Sequence, residues 1–149
     1  MIDTDGSFIP DNHIINDSEL KTSIYTLSEI RTNNCSGIVC RNHQKQSNIN
    51  KLLTISHIWR IIPYRLFYFS CNLEHVLHNQ NNVSDEEKEQ LAHLFAKKYK
   101  DDPKGFKSYI SDSEFSICDG YDYKSSWEYI KQDLNSLNRY TNIGLCFNE

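Results

Sequence analysis

The sequence predicts an α/β fold, with a small sheet and a mainly helical C-terminal half, on three observations. The run Tyr64-Arg65-Leu66-Phe67-Tyr68-Phe69-Ser70-Cys71 is short, aromatic and bounded by Pro63 and Asn72, as a mostly buried strand would be. Ser84-Asp85-Glu86-Glu87 has the form of a capping box ahead of apolar residues at helical spacing. Two further helix starts are written by Asp102-Pro103 and by Ser125-x-x-Glu128. At 149 residues, without internal repeats or Gly/Ser linkers, the chain is expected to form one domain over residues 1–149, long enough to bury a core without staples.

Taken in order, residues 1–40 mix short apolar stretches with turn formers such as Pro10-Asp11-Asn12 and Asn33-Asn34, which reads as brief strands and long loops. From Asn42 to about Ser56, residues Ile49, Leu52, Leu53 and Ser56 are spaced to share one helix face, and the helix should end before Pro63. The strand at 64–71 follows. A helix from Leu73 to His78 is entered directly from it, with Asn72 available as N-cap. The capping box opens a helix from Asp85 to Lys100, with Leu91, Leu94, Phe95 and Tyr99 at helical spacing. Trp127, Ile130, Leu134 and Leu137 follow the last start in the same manner.

Net charge is −4, so no global cationic field draws the chain to nucleic acid or to an anionic membrane. A phosphate-bearing substrate would require a metal or a local basic patch. Lys97, Lys98, Lys100, Lys104 and Lys107, interleaved with Tyr99, Phe106 and Tyr109, form such a patch, although lysines near a helix C-terminus are also favourable on dipole grounds alone. Five cysteines at spacings unlike zinc sites read as reduced thiols. No apolar run approaches the roughly 20 residues needed to span a bilayer, and the N-terminus lacks the layout of a signal peptide. A cytoplasmic protein without a membrane partner is expected.

The chemistry centres on Asp3-Thr4-Asp5-Gly6. Two carboxylates at i and i+2, after an apolar residue and before glycine, suit a hard cation when they sit just past a strand end. Magnesium is commonly held by one or two carboxylates, with water and substrate phosphate filling its other positions. The plain structural alternative is a solvated Asp-Gly turn. An EF-hand is excluded, because Gly6 falls fourth in the loop and Ile14 would occupy the twelfth position. Asp-x-Asp-Gly-Ser also resembles the first motif of haloacid-dehalogenase-type phosphatases; that resemblance implies Asp3 as nucleophile and Asp5 as general acid/base.

Read together, Ile2-Asp3-Thr4-Asp5-Gly6 and the later step Tyr68-Phe69-Ser70-Cys71-Asn72-Leu73-Glu74 resemble the Toprim-type domains of the RloB and OLD-like nuclease group. There an Asp-x-Asp turn is followed by a strand running into a Glu-bearing helix. The resemblance implies that Asp3 and Asp5 are ligands of Mg2+, that Glu74 is a supporting catalytic acid, and that the activity is metal-dependent phosphodiester cleavage in bacterial defence, with nucleic acid as partner. Family members also carry a glutamate upstream of the turn. Asp3 stands two residues from the start of this sequence, so an N-terminally shortened member is expected. The alternative from another class is a non-catalytic interaction domain with a protein partner.

Three further features each have a chemical and a structural reading. His75 and His78 are spaced for a metal, or for a surface pair or a core histidine. Cys71, ahead of a helix N-terminus, could be an activated thiol or a small apolar strand residue. Arg139 could grip an anion in bidentate fashion or anchor a helix-ending turn.

Overall fold

The chain is described here from a computed structural model, covering residues 1–26, 28–80, 82–111 and 141–147. The expected helix after Ser125, Arg139 and Cys118 lie outside the described residues. Strands β1 (Ile2–Asp3), β2 (Ile14–Asn16), β3 (Ile24–Tyr25) and β4 (Ile30–Thr32) precede helix α1 (Cys35–Leu53). A hairpin of β5 (His57–Ile58) and β6 (Ile62–Pro63) leads to β7 (Tyr68–Phe69), then to α2 (Leu73–His78), α3 (Asp85–Tyr99) and α4 (Pro103–Ile110). Mixed helices and small sheets make this an α/β fold, and the described residues beyond β7 are mainly helical.

The sheet that matters for the site pairs β1 with β7 in parallel, in the register Ile2 to Tyr68 and Asp3 to Phe69. Its ladder runs past the short strands: Ile2 N–H donates to Phe67 O at 3.0 Å, Thr4 N–H to Phe69 O at 3.0 Å and Asp5 N–H to Cys71 O at 2.9 Å. The free edge of β7 is closed by Asn142. Its side-chain oxygen accepts from Tyr68 N–H at 2.7 Å and its amide nitrogen donates to Leu66 O at 2.8 Å. Thr141 adds an antiparallel bridge to Phe69.

Alternation along β7 sends its side chains into two clusters, as the period of a strand requires. Tyr68 packs with Phe8, Ile49, Leu53 and Leu66 on the α1 side, and Phe69 with Val76, Leu77 and Tyr109 on the other. Apolar burial on both faces is the usual condition of a parallel strand between helices. Tyr109 Oη also donates to Leu77 O, tying α4 to α2. A second sheet, in the order β2-β4-β3, stands beside α1.

Helix boundaries follow local capping chemistry. Asn72 caps α2 by accepting from His75 N–H at 2.9 Å, and Asn79 closes that helix in the left-handed conformation. Ser84 and Glu87 form both halves of the capping box of α3, and Asp102 caps α4 with Pro103 in its first turn. Two expectations need correction. Helix α1 begins at Cys35 rather than Asn42 and ends at Leu53 rather than Ser56, because Asn34 already caps it by accepting from Gly37 N–H at 3.0 Å. The stretch 64–71 holds only the two-residue strand β7, since Tyr64 N–H pairs with Ser56 O at 2.9 Å and so prolongs the β5–β6 hairpin instead.

Candidate metal centre

Parallel pairing puts the C-terminal ends of β1 and β7 side by side, so the two segments leaving the sheet meet there. From β1 the chain enters a tight turn, in which Ser7 N–H donates to Thr4 O at 2.9 Å. Its central residues Asp5 and Gly6 have φ of 49° and 65°. Asp and Gly are the residues that tolerate this conformation, and at Gly6 a Cβ would also stand 3.0 Å from Ile9 Cδ1. From β7 the chain passes Cys71 and Asn72 into α2, whose first turn carries Glu74. Buried Thr4 binds the segments together through its hydroxyl, which donates to Ser70 O.

Asp3, Asp5 and Glu74 are therefore gathered at one end of the sheet. The Asp3 carboxyl is held above the ordinary carboxylate range, first by burial and then by the charges of Asp5 and Glu74, with Lys45 opposing them. All three residues are half-buried. Comparison of the chain with protein-family models, with curated proteins and with solved structures gives no match. The reading of the site accordingly stands on its own residues.

Helix α1 supplies two groups that sequence reasoning did not assign to the site. Arg41 and Lys45, one helical turn apart, share the face turned to the acidic turn. Lys45 Nζ donates to Asp5 Oδ2. Arg41 donates to the Asp5 carbonyl at 3.1 Å and to Tyr25 Oη at 2.9 Å, with its guanidinium carbon 5.2 Å from the Tyr25 ring centroid. Arg41 thus fixes the backbone of the turn, while Lys45 neutralises one of its carboxylates. The i, i+4 basic pair was the available signal, but nothing local showed which surface it faces.

The donor set consists of carboxylate oxygens, which suit Mg2+ or Mn2+. Among the described residues no group of three or more His, Cys, Asp or Glu side chains is placed to hold a metal ion, so Asp3, Asp5 and Glu74 do not form such a group between them. Magnesium asks for less, since one or two carboxylates suffice when water and substrate fill the remaining positions. Burial is the first cause of the raised Asp3 pKa, and a cation would offset only the smaller part that comes from Asp5 and Glu74. Asp3 and Asp5 are the candidate holders, and the carboxylate of Asp5 is already paired with Lys45.

The other candidates take their structural readings. His75 is buried, and His78 packs edge-on against Phe95 with ring centroids 5.8 Å apart. Burial, with the neighbouring carboxylates adding to it, pushes the Cys71 thiol up to about 11, so it is no activated nucleophile at neutral pH. Tyr99, Phe106 and Tyr109 of the lysine patch pack on one another and on Phe95 at 4.7–6.0 Å. Lys98 Nζ lies over Tyr99 and Tyr109 at 4.9 Å and 5.4 Å from their centroids. These rings pack the helices on one another, and each is half-buried.

Proposed function

We propose that the chain is a Toprim-related, magnesium-dependent nuclease-like domain acting on nucleic acid, with a role in bacterial defence. The observation that carries this reading is that the parallel β1–β7 pair brings Glu74 to the end of the sheet that bears Asp3 and Asp5, with 69 positions between Asp5 and Glu74. Asp3 and Asp5 hold the cation. Bound Mg2+ supplies Lewis-acid polarisation of a phosphodiester and a more acidic water. Glu74 accepts the proton of the attacking water, and Arg41 keeps the turn in register through the Asp5 carbonyl. Among the described residues no helix is long and apolar enough to cross a membrane; the proposed setting is the cytoplasm.

A second reading, that of a non-catalytic interaction domain, draws on Lys45. Its ammonium already pairs with Asp5 and so competes with a metal for that carboxylate. Cleavage of labelled single- and double-stranded DNA with Mg2+ or Mn2+ decides between them. The nuclease reading expects cleavage that disappears in EDTA and in the Asp3→Ala, Asp5→Ala double variant. Absence of cleavage with either metal, or activity retained by the double variant, overturns it.

A further inference from the structure

The β5–β6 hairpin presents exposed apolar side chains. Five large hydrophobic residues between 55 and 62 are exposed, led by Trp59 at 82% and Ile61 at 79%. Ile61 N–H closes the turn onto Ile58 O at 3.3 Å, and the central residues Trp59 and Arg60 have φ of 51° and 67°. This is the sign pattern of a type I′ turn, for which Asn-Gly and Asp-Gly are the preferred pairs. The same molecule makes a turn of matching φ at Asp5-Gly6, there with residues the geometry favours. At the hairpin tip it instead holds a bulky aromatic and an arginine in the left-handed region, where side chains are disfavoured. Foldability does not explain that choice.

Charge indicates what the tip meets. Residues 30–73 contain no Asp or Glu but six cations, within a chain of net charge −4. Arg41 and Lys45 are engaged at the acidic turn, and Arg31 pairs with Glu29 at 2.8 Å. Lys51 and Arg60 stand beside and on the hairpin, and both are exposed. A second copy of the chain would bring the same positive charges into opposition, whereas an anionic partner with flat apolar faces satisfies both the cations and the indole.

We infer that the β5–β6 hairpin is a docking element for single-stranded nucleic acid, with Trp59 stacking on a base and Arg60 and Lys51 meeting the backbone phosphates. Unpaired bases expose the π-faces that an aromatic platform needs, and a duplex hides them. The hairpin leads through residues 64–67 into β7, whose far end meets the acidic turn, and that continuity favours nucleic acid over a lipid surface. The choice between those two partners rests on the nuclease reading; the hairpin's charge and exposure do not.

Binding of a fluorescein-labelled oligothymidylate of about 12 nucleotides, followed by anisotropy in EDTA, separates docking from metal chemistry. Trp59→Ala should weaken binding about tenfold, the scale of one base–aromatic stack. Arg60→Gly should lower the slope of log affinity against log salt by about 0.7. The double change Trp59→Asn, Arg60→Gly installs the preferred turn pair, so it should abolish binding while leaving Tm unchanged or higher. Hairpin-dependent binding without metal-dependent cleavage would uphold this inference while removing the nuclease reading. Unchanged affinity in the double variant overturns the inference, as does equal binding of duplex of the same length. Loss in that variant only of self-association, or only of adsorption to phosphatidylserine vesicles, overturns it too.

Discussion

Asn142→Ala tests whether the sheet beneath the site is held as described. The side chain is fully buried and makes two bonds to β7 and its approach, accepting from Tyr68 N–H and donating to Leu66 O. Truncation leaves one buried donor and one buried acceptor without partners, at about 1–3 kcal/mol each, so the expected loss is about 3 kcal/mol. For a chain of this size that corresponds to a fall in Tm of roughly 6–12 °C. Asn142→Asp sharpens the test. It keeps the acceptor for Tyr68 but sets a buried carboxylate against the Leu66 carbonyl, so at neutral pH it should be worse than alanine and should improve as pH falls. Urea and thermal unfolding provide the readout. A loss below about 0.5 kcal/mol for Asn142→Ala, or an aspartate variant as stable as wild type at neutral pH, would refute the placement of this side chain on the β7 edge.

Other expectations follow from the turn. Lys45→Met removes the cation paired with Asp5; without metal it should cost about 1 kcal/mol, the scale of a partly exposed ion pair, and it should tighten Mg2+ binding, which thermal shift with and without metal measures. Gly6→Ala places a Cβ at positive φ and against Ile9, so a loss of about 1–2 kcal/mol in chemical denaturation is expected. The raised Asp3 pKa means that the folded state holds a proton, above the ordinary value of 3.8, that the unfolded state has released. Stability from this group therefore falls as pH rises through that interval, and Asp3→Asn should flatten the decline; identical profiles of Tm against pH would contradict it.

Legibility in the sequence followed the range of the interactions. Helices α2, α3 and α4 start where their caps are written, at Asn72, Ser84 and Asp102, because an N-cap bond is made within three residues. The start of α1 is obscured by Gly37, Ile38 and Val39, all weaker helix formers, even though Asn34 caps it. The hairpin at 57–63 carries no Asn-Gly or Asp-Gly signal, since Trp59 and Arg60 occupy its turn. At the candidate site, the acidic turn and Glu74 were visible as types and spacing. The register that joins them, and the approach of Arg41 and Lys45, depend on contacts between residues 36 to 66 positions apart, which no local pattern encodes.

The central claim is that Asp3 and Asp5 hold a divalent cation. Its most direct test is the Tm of the metal-free chain titrated with Mg2+ and then Mn2+, beside Asp3→Asn and Asp5→Asn. A ligand at 100 times its Kd stabilises by about 2.7 kcal/mol, so the wild type should gain roughly 5–11 °C at saturation and each variant little or none. Asp3→Asn should also start from a higher metal-free Tm, because a half-buried carboxylate beside Asp5 and Glu74 is replaced by a neutral amide. No gain with either metal in wild type, or an equal gain in both variants, would contradict the account.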